Sequence, residues 1–205
     1  MGSTQRIVSM GALALSLAAW AGQAQAQDHE VVVDHGLGLH VQGGGYSSLA
    51  HLDDSETVDF KTGFNMGGGL AYQFNRYFAL RGNFTFARAE ARANDVSIAT
   101  PIAGTKFDRF IYDGDLQFRY PFRIGIAPYV FAGGGGITTK QHDTQNSDSF
   151  TKGAGKFGAG VSYQVPKSRV GLYLEAATWA YKWNQYGFDK TQFDLSWSGG
   201  IAYAF

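Results

Sequence analysis

From Leu37 onward the chain repeats one pattern, a large apolar side chain at every second position with a small, polar or charged one between. The last stretch, QFDLSWSGGIAYAF, puts Phe193, Leu195, Trp197, Ile201, Tyr203 and Phe205 on one parity and Asp194, Ser196, Ser198, Gly200, Ala202 and Ala204 on the other. Successive side chains of an extended strand point to opposite faces, so a period of two predicts strands with two chemically different faces. The alternation predicts eight strands and no helix, near residues 37–47, 62–74, 77–91, 107–120, 127–139, 153–165, 170–181 and 192–205.

The connections alternate as well. Segments 49–61, 92–106, 140–152 and 182–191 are long and polar, whereas 75–76, 121–125 and 166–169 are short. One end of the sheet therefore carries every long loop and the other every tight turn, which is an up-and-down meander.

The two faces decide the environment. In the third strand Phe78, Leu80, Phe84 and Phe86 alternate with Ala79, Arg81, Asn83 and Thr85; in the fourth, Tyr112, Leu116, Phe118 and Tyr120 alternate with Asp113, Asp115, Gln117 and Arg119. The apolar faces run for about nine or ten residues, the length a tilted strand needs to cross a bilayer's hydrocarbon core. The other face is too small and too charged to be the core of a soluble protein. Within lipid every backbone N–H and C=O must be paired internally, so strands can span only as a closed barrel, apolar side outward. The fold expected is all-β, an eight-stranded antiparallel up-and-down transmembrane β-barrel whose interior side chains just fill. Tyr72, Tyr77, Tyr120, Tyr129, Tyr163, Trp197 and Tyr203 are expected in the aromatic girdles at the two interfaces. The architectural alternative, a secreted lipocalin-type barrel, would turn the apolar face inward and leave Arg81, Asp115 and Glu175 in water.

The front end adds a destination. Arg6, an apolar run from Ile7 to about Ala21 and the small-residue pattern Ala24-Gln25-Ala26 predict a Sec-type signal peptide over residues 1–26, cut after Ala26. Residues 27–36 then form a periplasmic lead-in, and 37–205 the barrel. Cysteine is absent, which excludes a disulfide framework and thiol chemistry. The formal net charge is zero, so nothing favours nucleic acid as a partner.

The alternating tail ending on Ile201, Tyr203 and Phe205 resembles the signal by which bacterial outer-membrane barrels are recognised by their assembly machinery. The stretch APYVFAGGGG, residues 127–136, resembles a segment of the OmpA/OmpX-like eight-stranded outer-membrane barrel family, and the likeness extends over residues 37–205. The resemblance implies the outer membrane of a Gram-negative bacterium, with outer-membrane lipid, lipopolysaccharide and the barrel-assembly machinery as partners. It also makes the long loops candidate sites for a surface ligand. OmpA proper carries a periplasmic peptidoglycan-binding domain after its barrel; here the sequence stops at the barrel, so that tether is not carried over.

Candidate chemistry is sparse. Gly153, Gly155 and Gly158 spell GxGxxG, but a dinucleotide site needs a helix to follow, and the alternation runs on to Tyr163. The glycine runs at 43–45, 67–69 and 133–136 instead leave lumen space and let a narrow barrel bend. Arg81, Asp113, Asp115, Arg119, Lys156, Glu175 and Asp194 fall on the inward parity, because a lipid-facing Arg or Lys at the midplane costs ~2–4 kcal/mol. They are expected to form a salt-bridge network that plugs the pore, with a narrow ion pathway as the alternative. His51, Asp53, Asp54 and Ser55 in the first long loop have the side-chain types of a hydrolase or acyltransferase acting on lipid. His142, Asp143, Glu56 and Asp59 lack metal-ligand spacing, and neither metal nor cofactor is expected. The expectation is a non-enzymatic structural or surface-interaction barrel, with a lipid-modifying enzyme or a small-solute channel as alternatives.

Overall fold

Period-two alternation becomes nine strands in the computed structural model, which describes residues 35–48, 58–60, 62–93, 106–141, 149–183 and 190–205. They are β1 (Gly36–Ser48), β2 (Val58–Phe60), β3 (Gly63–Gln73), β4 (Phe78–Ala93), β5 (Lys106–Arg119), β6 (Ile126–Gln141), β7 (Ser149–Gln164), β8 (Val170–Trp183) and β9 (Lys190–Ala204). All but β2 form an antiparallel meander. β1 pairs with β3 on one side and β9 on the other, β4 pairs with β5, and the sheet closes on itself as an eight-stranded barrel. Closure joins the two ends of the meander, with Val41 opposite Ile201 and Leu39 opposite Tyr203. Phe205 N–H also donates to the Leu37 carbonyl at 2.9 Å. No sheet edge is left within the barrel, as a lipid environment demands.

The faces follow the pattern of the sequence. Leu39, Leu70, Leu116, Val130, Leu174 and Ile201 are exposed on the outside, whereas Asn65, Arg81, Thr85, Asp115, Lys156, Glu175 and Ser198 are buried inside. Glycine makes the narrow interior habitable. A Cβ on inward-facing Gly133 would run into Asp115, and one on Gly160 would fall on the Tyr129 ring.

Several strands run further toward the long-loop end than their apolar pattern does. β6 and β7 extend to Gln141 and begin at Ser149, with Thr138 and Thr151 hydroxyls bonded at 2.8 Å. Ladder bonding does not need apolar side chains, so the sheet continues past the point where alternation fades. β2 is an addition of the same kind, since three residues inside the expected first loop pair with Ala91–Ala93 at the end of β4.

Two aromatic assignments change. Tyr129 shares its parity with Ala127 and Phe131 and lies buried in the lumen, not in a girdle. Trp197 faces outward but lies halfway along β9, opposite Gly45 and Ala176. Tyr72, Tyr120, Tyr163 and Tyr203 do ring the outside at the short-turn end. The turn after β5 is set by Gly125, whose φ of 81° is open to glycine and strained for other residues.

Candidate functional site

Seven charged side chains of the described residues lie buried in the lumen, Arg81, Arg109, Asp113, Asp115, Lys156, Glu175 and Asp194, where a charge without a partner would be costly. They assemble in two layers. In the layer nearer the short turns, Arg81 on β4 grips Asp115 on β5 through Nε to Oδ1 at 2.7 Å and Nη2 to Oδ2 at 3.1 Å. The same guanidinium crosses the lumen to Glu175 on β8, with Nη1 donating to Oε2 at 2.9 Å. Lys156 on β7 donates to Asp113 at 2.7 Å and to Asp115 at 2.9 Å. Asn83 bridges the same two carboxylates at 2.7 and 2.9 Å and accepts from the His40 ring, 3.0 Å away. The Tyr129 hydroxyl donates to Glu175 at 3.0 Å, and Phe131 lies under the Arg81 guanidinium at 4.4 Å. Two cations thus hold three carboxylates in a bidentate, charge-assisted net.

The second layer lies nearer the long loops, six residues beyond Asp115 on β5, His40 on β1 and Glu175 on β8. Arg109 on β5 donates to Asp194 on β9 and to the Tyr46 hydroxyl on β1. Tyr46 in turn donates to Asp194 at 2.5 Å, and the Tyr181 hydroxyl on β8 donates to the same carboxylate oxygen at 2.7 Å. Phe107, Ile111, Ile137 and Trp179 fill the space around them. Toward the short turns a cavity of about 170 Å³ remains, lined by His40, Gln117, Arg119, Tyr129, Gln164 and Tyr173 and bounded by Arg81.

Of the charged residues expected inside, Arg81, Asp113, Asp115, Lys156 and Glu175 meet in the first layer, and Asp194 lies in the second. Arg119 stands apart: its Nε donates to the Arg76 carbonyl in the β3–β4 turn at 3.1 Å. Its parity is inward, but it is the last residue of β5 and sits at the mouth, beyond the net. Arg109 was missed, although it lies on the parity of Asp113 and Asp115. The buried tyrosines 46 and 181 that hold its carboxylate were not foreseen either.

Ile201, Tyr203 and Phe205 face outward at the short-turn end. His51, Asp53, Asp54, Ser55, Glu56, His142 and Asp143 fall outside the described residues, as do residues 1–34; Asp59 lies in β2. Among the described residues no group of three His, Cys, Asp or Glu side chains could hold a metal ion.

The family model described as outer membrane protein beta-barrel domain matches residues 10–205. No curated protein sequence matches the chain. Among solved structures, Neisserial surface protein A (NspA) is 14% identical, with a TM-score of 0.61 over 82% of this chain and 97% of that one. The N-terminal β-barrel domain of Pseudomonas aeruginosa OprF is 13% identical, with a TM-score of 0.48 over 88% of this chain and all of that one. Ail of Yersinia pestis, solved with the heparin analogue sucrose octasulfate, is 17% identical, with a TM-score of 0.48 over 84% of this chain and all of that one. At such identities the likeness to NspA is one of fold.

Proposed function

The chain belongs to the outer-membrane β-barrel protein family of Gram-negative bacteria, and from that premise we propose that it is a non-enzymatic, non-conducting envelope protein. Its barrel is a rigid mount, and the loops opposite the short turns make contacts at the cell surface. The observation that carries this reading is the lumen, crossed by two layers of side chains that bind one another. Asp115 and Glu175 are committed to Arg81 and Lys156, and Asp194 to Arg109 and two tyrosines, so none of them is presented to a passing solute or to a substrate. Rigid scaffolds of this kind leave variation and contact to their loops. Lipid and lipopolysaccharide surround the barrel in this reading, and the outward-facing Ile201, Tyr203 and Phe205 are read by the assembly machinery.

Two measurements test it. The purified protein in planar bilayers is expected to show no steady conductance; a stable open level would make it a channel. Mass spectrometry of lipid A from matched cells with and without the protein is expected to give one profile. A difference of one acyl chain, abolished by His51→Ala, would make it a lipid-modifying enzyme instead.

A further inference from the structure

The formal net charge of the chain is zero, yet its cations are not evenly spread. The three described short turns and the strand ends beside them carry Arg76, Arg119, Arg123, Lys167 and Arg169 and no Asp or Glu. Arg76, Arg123, Lys167 and Arg169 are exposed, and Arg119 is half-buried. At the opposite end the charges are mixed and paired, as in the bidentate contact of Arg88 with Asp108 at 2.5 and 2.8 Å.

We propose that the exposed cations of this collar, Arg76, Arg123, Lys167 and Arg169, bind the headgroups of anionic phospholipids in the periplasmic leaflet of the outer membrane, while Arg119 faces the lumen mouth. Short turns face the periplasm in barrels of this class, which sets the leaflet. The height is set by aromatics. Tyr72, Phe74, Phe118, Tyr120, Tyr163 and Tyr203 face outward at this end, where aromatic belts sit at the headgroup level. The exposed cations follow closely in sequence: Arg76 two residues after Phe74, and Arg123 three after Tyr120. The Arg76 guanidinium lies over the Tyr77 ring at 4.8 Å, which holds it at the belt and not out toward the periplasm. The turns are too short to lift the other cations far from that plane, so lipid phosphates are nearer than any peptidoglycan carboxylate.

Lys167 adds an independent sign. Its φ of 56° is the one left-handed value among the described non-glycine residues, at a turn position where Gly or Asn would be relaxed. A lysine kept in a strained turn is accounted for if its charge has work there.

The test compares phosphatidylglycerol with phosphatidylethanolamine of the same acyl chains, each titrated against the folded protein in zwitterionic micelles. The wild type is expected to prefer phosphatidylglycerol and to lose that preference at high salt. Each cation removed lowers it about five-fold, so Arg76→Gln/Arg123→Gln/Lys167→Asn should lower it about 100-fold. The fold of the variant is checked by heat-modifiable gel migration, and should it not fold, the salt dependence of the wild type still decides. Lys140→Gln/Lys182→Gln at the other rim should leave the preference unchanged. Equal binding of both lipids by the wild type would overturn the proposal, as would an equal fall in the control variant. Co-sedimentation with peptidoglycan without a lipid preference would assign the collar to cell-wall carboxylates instead.

Discussion

Arg81 is the residue on which the lumen turns, because among the described residues it forms ion pairs with both Asp115 and Glu175. Replacing it by leucine leaves Lys156 facing three buried carboxylates, and breaking a buried ion pair from one side costs about 3–5 kcal/mol. Arg81→Leu should therefore unfold at markedly lower urea concentration than the wild type, while Arg81→Leu/Glu175→Leu, which also removes a carboxylate, should recover part of the loss. Tryptophan fluorescence reports the transition, since Trp179 lies beside Lys156. Equal midpoints for the single variant and the wild type would show the net to be energetically idle. Most of this net could be read from the sequence, because Arg81, Asp115 and Glu175 fall on the small and polar parity of strands whose other parity is apolar. Arg109 could not be read so easily: its inward neighbours Phe107 and Ile111 are apolar, so the face around it does not look like a lumen. Only counting parity back from Asp113 would have found it. Arg119 failed in the opposite way, since parity gives the direction of a side chain but not its height.

At the level of the strand, parity also predicts where volume is tolerated. Gly133 and Ala132 are neighbours on β6, yet Gly133 faces the lumen against Asp115 and Ala132 faces lipid beside Leu116. Gly133→Val drives its Cβ into the Gly114 carbonyl oxygen and the Asp115 Cα and Cβ on β5, and overpacking of this kind costs about 1–3 kcal/mol before any disturbance of the Asp115 ion pairs is added. Ala132→Val only adds apolar surface where lipid receives it. The folded fraction after refolding into micelles, read as the heat-modifiable band, should collapse for Gly133→Val and stay at the wild-type level for Ala132→Val. A reversed order would mean that the faces of β6 are assigned the wrong way round. Strand count, order and facing were legible because hydrophobic alternation encodes all three. The strand ends were not, because beyond the bilayer β6, β7 and the three-residue β2 are held by backbone pairing, which leaves no apolar mark. Tyr129 was misassigned because its type suggested an interface, whereas its parity, shared with Phe131, put it inside.

For the whole molecule, the two layers make closure redundant. A solute passing between the ends would have to cross the Arg81–Asp115–Glu175–Lys156 net and then the plug of Tyr46, Arg109, Asp194 and Tyr181, each spanning an interior that eight strands leave only just wide enough for side chains. The layers share no hydrogen bond among those described, so opening one does not dismantle the other. Glu175→Ala/Lys156→Ala should therefore stay electrically silent although its lower layer is thinned, and Tyr46→Ala/Tyr181→Ala should stay silent behind an intact Arg81 net. Only the combination of all four substitutions is expected to give steps of conductance, and these should favour cations, since Asp113, Asp115 and Asp194 remain along the path with Arg81 and Arg109. Single-channel recording in planar bilayers on variants that pass the gel test of folding separates the cases. Conductance in either double variant would mean that one layer alone seals the barrel, and silence in the fourfold variant would mean that Phe107, Ile111, Ile137 and Trp179, packed around the second layer, are the true barrier.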